Sequence, residues 1–182
     1  MVSDRDPAST DAARHAAVLL PLVEIDGAGH LLLTTRPTHL RSHSGQIALP
    51  GGRVESHDAH RVATALRESQ EEIGLVPQAV EVLGEMPEYQ TASGFAVTPV
   101  IGWLHELPEL SPDPSEVDEI FFVPLGFLMD PGNHQRLRMP ASVGERAVYA
   151  MPWRAPGSQV EYFIWGVTAA ILRNFYHFLR SP

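Results

Sequence analysis

Three glutamates, Glu68, Glu71 and Glu72, fall within five residues of one another in the stretch Arg67-Glu68-Ser69-Gln70-Glu71-Glu72-Ile73-Gly74-Leu75. On a helix at about 100° per residue they share a wedge roughly 100° wide. Like charges at this spacing oppose the helix by about 0.2–0.5 kcal/mol per pair, so the wedge calls for something positive inside it. A solvated acidic face is the plain alternative, but such faces usually alternate in sign. Clustered hard oxygen ligands suit Mg²⁺ or Mn²⁺, which bind through carboxylates, retained waters and substrate phosphates. Val62, Leu66, Ser69 and Ile73 form a separate stripe. The expected helix therefore packs through that stripe and presents its carboxylates away from it.

Ahead of the helix, Leu49-Pro50-Gly51-Gly52 closes an apolar run. Two glycines permit a tight bend, which can bring a carbonyl close to the carboxylate wedge. Glycine turn and acidic helix together resemble the Nudix box: Gly, five residues, Glu, seven residues, then Arg-Glu-aliphatic-any-Glu-Glu-any-Gly-aliphatic. Three positions depart from it. Asp58 stands where the first Glu is expected, Ser69 replaces the aliphatic residue, and eight residues separate Asp58 from Arg67. One extra residue in the loop or first helical turn absorbs the last departure.

A second block is similar to the added signature of the coenzyme A pyrophosphatase branch of Nudix hydrolases. Leu32-Leu33-Thr34-Thr35-Arg36 leads without insertion through Arg41, His43 and Gly45 to Leu49-Pro50-Gly51-Gly52, with Pro37 in place of a Ser and Leu49 in place of a Phe. Thr64-Ala65-Leu66-Arg67-Glu68 and, near the C-terminus, Trp165-Gly166-Val167-Thr168-Ala169 extend the likeness over most of the chain.

The resemblance implies an α/β/α sandwich around a mixed sheet, and divalent-metal-assisted attack of water on a diphosphate joined to another group. It makes Glu68 and Glu72 the firmest metal ligands, with Glu71 completing the site or orienting water, and the Gly51 carbonyl an added ligand. Gly52 supports the turn, and Arg67 braces the assembly through a carboxylate. Candidates for the general base are Glu68, Glu71, Glu88, Glu116 and Glu119, with Glu71 favoured. Arg36 and Arg41 have the forked geometry to bind phosphate oxygens, or to pair with surface carboxylates. His43 and Gln46 shape the same loop, as substrate contacts or as structure alone.

Composition narrows the partners. At 182 residues with 44% hydrophobic content, the chain has enough apolar material for one sizeable core, and we expect a single domain with residues 1–12 loosely attached. The net charge of −9 comes without any Lys/Arg run, which argues against polymeric nucleic acid. No cysteine is present, excluding disulfides and thiolate zinc sites and fitting a cytoplasmic protein. None of the nine histidines forms a helical metalloprotease pair. Arg173 and Asn174 interrupt the most apolar helix candidate, so no membrane span is expected.

Apolar runs bounded by turn residues predict a hairpin over Ala16–Ile25 and His30–Arg36, and an extended stretch over Gln46–Leu49. The box helix is expected over Asp58–Ile73, capped near Asp58 and stopped at Gly74. Strands follow at Val80–Met86, Phe95–Leu104 and Glu116–Val123, with a loop at Tyr89–Gly94. Pro131–Tyr149 has no clear period and reads as a strand pair or an irregular segment. An apolar helix over Phe163–Leu179, packed closely through Gly166, Ala169 and Ala170, ends the chain. The resulting expectation is a metal-dependent hydrolase of coenzyme A or its derivatives, yielding adenosine 3′,5′-bisphosphate and a 4′-phosphopantetheine species. Two alternatives stand beside it: a Nudix pyrophosphatase acting on ADP-ribose or another nucleoside diphosphate derivative, and a catalytically silent nucleotide-binding module.

Overall fold

The computed structural model describes residues 14–38, 45–138 and 147–180. Arg41, His43 and the N-terminal segment 1–12 lie outside the described residues. The central strand, β1 (Arg14–Ile25), runs antiparallel to β2 (Ala28–Thr35) across a two-residue turn. Asp26 and Gly27 both take positive φ there, 51° and 75°, the conformation that matches the twist of a tight hairpin. On its other side β1 pairs in parallel with β7 (Phe95–Leu104) over ten residues, which makes the sheet mixed.

Short strands complete this eight-stranded sheet. They are β3 (Ile47–Ala48), β4 (Gly51–Arg53), β5 (Glu81–Glu85), β6 (Tyr89–Gln90) and β8 (Glu119–Pro124). A second sheet of three holds β9 (Gln135–Arg138), β10 (Ala147–Trp153) and β11 (Tyr162–Trp165). The helices are α1 (Arg61–Ile73), the single turn α2 (Leu125–Leu128) and α3 (Gly166–Arg180).

Alternation along β1 distributes its side chains to both faces of the sheet. Ala17, Leu19 and Val23 meet Ala65 and Ile73 of α1, while Leu20 and Leu22 share the other core with Ala169, Leu172 and Phe175 of α3. A helix thus covers each face, the α/β/α arrangement expected from the sequence. Phe175 is essentially fully buried, a side chain whose removal from water contributes about 1.5–3 kcal/mol.

The boundaries differ from expectation in four places. Helix α1 begins at Arg61 rather than Asp58, and its N-cap is His60, whose Nδ1 accepts from the Ala63 N–H at 3.1 Å. Asp58 is drawn off by stronger partners, described below, so the extra residue of the box sits in the loop. Tyr89 and Gln90, expected in a loop, pair with β7. Strand β8 begins at Glu119 rather than Glu116, whereas the stretch after Pro131 takes one of its two expected forms, the antiparallel pair β9 and β10.

At the C-terminus, Tyr162–Trp165 is a strand, and the helix starts only at Gly166. Gly166 has φ 66°, and nothing lies within 4 Å of where its Cβ would be. Its role is therefore the bend between β11 and α3, not close packing. Ala169 does pack against the core, as expected.

Candidate active site

Helix α1 ends where it was expected to, at Gly74 with φ 70°, whose N–H returns to the Gln70 carbonyl. The departure at Ser69 is accommodated inside the helix. Ser69 is fully buried, and its hydroxyl donates to the Ala65 carbonyl one turn back at 2.7 Å, so no polar group is stranded.

The glycine strand β4 lies against both β1 and α1. Gly51 has φ 150°, and a Cβ there would sit 2.4 Å from the Ala17 carbonyl oxygen. A Cβ on Gly52 would fall 2.4 Å from Cδ of Glu68. Both glycines are needed for contact: one so that the backbone can follow β1, the other so that a carboxylate can come down on it. Gly51 meets the acidic wedge through its N–H, which donates to Oε2 of Glu72 at 3.0 Å. The expected approach of its carbonyl is not the contact the structure displays.

The wedge is not uniformly turned from the packing side, which corrects the sequence reading. Glu72 is only 5% exposed and belongs to the buried face, Glu68 is mostly covered with 16% of its side chain exposed, and Glu71 is 58% exposed. Burial pushes Glu72 up to about 7, and Glu116 and Glu68 push the same way against the Gly51 N–H and Arg36. Burial also raises Glu68, with Glu71 and Glu116 adding to the rise and Arg67 opposing it. The site is therefore short of positive charge.

Arg67 supplies part of that charge. Its Nε donates to Oδ1 of Asp58 at 2.9 Å and one terminal nitrogen to Oδ2 at 3.0 Å, a forked pair on a side chain that is 2% exposed. That same nitrogen reaches the Arg53 carbonyl, while the other contacts Glu68 at 3.0 Å and Glu71 at 3.1 Å. Asp58 also accepts from the Thr64 hydroxyl and the Glu55 N–H. Held chiefly by Arg67, its carboxyl lies well below the usual carboxylate range. Asp58 as the specific partner of Arg67 was not read from the sequence. The signal was its place in the box, one carbon shorter than the expected Glu.

Arg36, at the end of β2, reaches the same neighbourhood, since its charge acts on Glu72. Among the described residues its buried Nε has no hydrogen-bond partner. Gln46 lies beside it in the chain pairing, its carbonyl accepting from the Arg36 N–H at 2.9 Å. Of the candidate bases, Glu119 accepts from the Tyr162 hydroxyl and Glu88 sits near Thr98 and His15. Glu116 acts on both Glu68 and Glu72, whereas Glu71 acts on Glu68 and is tied to Arg67.

Among the described residues no three acidic or imidazole groups are gathered closely enough to hold an ion by themselves. The side chains show the local reason: Arg67 lies between Glu68 and Glu71, and Glu72 is turned to the Gly51 N–H. The donor set still fits Mg²⁺ or Mn²⁺, because hard carboxylates with raised proton affinity are short of a cation and such ions keep several waters.

Two stability measurements test this electrostatic arrangement. Asp58→Asn leaves Arg67 without its buried partner and is expected to cost about 3 kcal/mol in urea unfolding at pH 7. Because the folded Asp58 carboxyl is depressed, its contribution is present above the ordinary value of 3.8 and is lost below it, so the gap to wild type closes in acid. Glu72 carries the opposite sign. Its raised folded value favours folding below 4.5, and that advantage disappears as the pH rises through about 7. In EDTA, Glu72→Gln is therefore expected to be more stable than wild type at pH 8, by on the order of 3 kcal/mol, and equal to it near pH 4. Equal stability at both pH values would remove the charge deficit from the description.

Known proteins share the family and the fold of this chain. The profile of the NUDIX domain matches residues 13–141. An uncharacterized Nudix hydrolase, NudL, from Salmonella paratyphi B is 42% identical over 161 residues, covering 88% of this chain and 80% of the relative. The crystal structure of a Nudix hydrolase from M. smegmatis, RenU, superposes with a TM-score of 0.54 at 27% identity, over 65% of this chain and 73% of that one. A C. elegans Ap4A hydrolase shares the fold with a TM-score of 0.57 at 16% identity, over 91% and 98% of the two chains. Matched over most of its length by the domain profile and by a 42% identical relative, the chain belongs to the Nudix family of hydrolases.

Proposed function

We propose that this hydrolase cleaves the diphosphate of coenzyme A or one of its derivatives, acting as a single domain in the cytoplasm. The observation that carries the reading is Arg36: a guanidinium whose buried Nε has no partner among the described residues, acting on Glu72, inside the Leu32–Gly52 block that resembles the coenzyme A branch. A forked cation left incompletely bonded beside an acidic wedge suits a phosphate oxygen bridging the two. Among the described residues no helix is long and apolar enough to cross a membrane.

Glu68 and Glu72 would hold Mg²⁺ or Mn²⁺, with Glu71 or the Gly51 backbone adjacent. A divalent cation there supplies charge neutralisation for the diphosphate and lowers the pKa of an attacking water. The chain's own residues do the rest. Asp58 holds Arg67, Arg67 sets the rotamers of Glu68 and Glu71, and the two glycines let Glu68 and Glu72 reach the strand. Arg36, joined by Arg41, would orient the substrate phosphates, with His43 and Gln46 contributing from the same loop.

For the general base, Glu116 is favoured over Glu71: both are exposed, but the charge of Glu116 acts on Glu68 and Glu72 alike, whereas Glu71 acts on Glu68 and is already bonded to Arg67. Under saturating Mg²⁺, Glu116→Gln is expected to lower kcat at least about tenfold with little change in the metal concentration required. Glu71→Gln should change it less. The reverse order would return the role to Glu71.

A substrate panel tests the main reading. Coenzyme A, 3′-dephospho-coenzyme A, ADP-ribose and a dinucleoside diphosphate are each incubated with Mg²⁺ or Mn²⁺, and both products are identified. Coenzyme A is expected to give the highest kcat/KM, and Arg36→Ala to lower it roughly ten- to a hundredfold, the loss of one charge-assisted phosphate contact. Higher kcat/KM on ADP-ribose or the dinucleotide would select the alternative substrate class, and no hydrolysis of any would select a silent binding module.

A further inference from the structure

The segment Trp165-Gly166-Val167-Thr168-Ala169 belongs to the likeness read from the sequence, and its fold explains the order of its residues. Gly166, with φ 66°, turns the chain out of β11 and into α3, and Ala169 seats the new helix in the core. Thr168 stands between them, half-buried in the first turn. A helical hydroxyl can close back on a carbonyl of its own helix, as Ser69 does in α1. That of Thr168 leaves the helix: its Oγ1 donates to the Ile47 carbonyl of β3 at 2.9 Å.

Strand β3 is two residues long, ends the sheet order and pairs with β2. In an antiparallel ladder successive residues turn their backbone groups alternately toward the partner strand and away from it. The Arg36 N–H meets the Gln46 carbonyl at 2.9 Å, and the Arg36 carbonyl takes the Gly45 N–H at 3.1 Å. Ile47, next along β3, therefore turns its carbonyl away from β2. Ile47 is 7% exposed, and an outward carbonyl at that depth needs a donor. Thr168 supplies it, and β11, which leads into α3, lies against the same strand. Alternation along β2 puts Leu32 on the α1 side and Leu33 on the α3 side, which sends Arg36 toward α1, where its charge acts on Glu72. The connection from α3 to Arg36 thus runs through backbone hydrogen bonds along the sheet edge, not through the core.

We propose that Thr168 is a positioning residue for substrate binding: its hydroxyl holds the two-residue strand β3, and β3 fixes the backbone from which Arg36 reaches a substrate phosphate. The inference rests on the reading of Arg36 as a phosphate contact and adds to it a helix residue from the far face of the sheet. Loss of the hydroxyl frees β3 at its outer edge and weakens substrate binding, while the wedge glutamates, held by Gly51 and Arg67, keep their places.

Three substitutions in the full chain test this. Thr168→Val keeps the shape and removes the hydroxyl, Thr168→Ala removes it with a residue that favours the helix, and Thr168→Ser keeps it. Thermal unfolding checks that each variant is folded. Hydrogen exchange of the Arg36 amide is expected to quicken roughly three- to tenfold in the Val and Ala variants, the effect of one neutral hydrogen bond, and to stay at the wild-type rate in the Ser variant. Under saturating Mg²⁺, KM for the preferred substrate of the panel should rise by a similar factor in the Val and Ala variants, with kcat within about twofold of wild type. Combined with Arg36→Ala, neither should add to the loss that Arg36→Ala causes alone. Unchanged exchange in a folded variant without the hydroxyl overturns the proposal, as does a KM loss of equal size with and without the Arg36 side chain. Faster exchange in a protein whose KM is indifferent to Arg36→Ala upholds the hold of Thr168 on β3 and rejects Arg36 as the phosphate contact.

Discussion

The contact between the glycine strand and the acidic helix governs the rest of the architecture. Glu72 takes a backbone N–H from Gly51, and Glu68 closes over Gly52 so tightly that a single methyl group would meet its carboxylate. Carboxylates normally stay in water, and burying one without compensation is strongly unfavourable. Here two are pressed onto a strand and are left with raised proton affinity. The fold holds them there because Ala65 and Ile73 of α1 pack into the core with β1, and because β4 is anchored on β1 by register.

Arg67 and Asp58 distribute the remaining charge. One guanidinium serves Asp58 through a fork, two wedge glutamates and a backbone carbonyl, so the loop before the helix is tied to the helix itself. The loop can therefore be one residue longer than the usual box and the helix still arrive in the same place. The cap passes to His60 because the carboxylate of Asp58 is engaged by a cation and a hydroxyl, which bind it more strongly than a helix N-terminus would. Arg36, at the end of β2, adds its charge on the Glu72 side of this arrangement.

Much was legible in the chain because local chemistry forced it. The hairpin of the first two strands, the stop at Gly74 and the long apolar strands follow from turn residues and periodicity, which act over a few positions, although the turn is two residues where the sequence suggested four. The spacing of Arg67, Glu68, Glu71 and Glu72 after Gly51-Gly52 identified the family without coordinates. What failed locally was the start of α3, where Tyr162–Trp165 carries the apolar character of either a strand or a helix, and pairing with β10 decided for the strand.

The division between sequence and tertiary structure is clearest within the wedge. Sequence alone set the angular spacing of the three glutamates around the helix, because that is geometry of one element. It did not set which of them would be covered, since that depends on where β4 meets α1. Tertiary packing buried Glu72, covered most of Glu68 and left Glu71 in solvent, thereby giving three identical side chains different surroundings and different partners. The same holds for Thr168. In the sequence it is one hydroxyl in an apolar stretch, and only the docking of α3 beside β3 gives that hydroxyl the Ile47 carbonyl to hold.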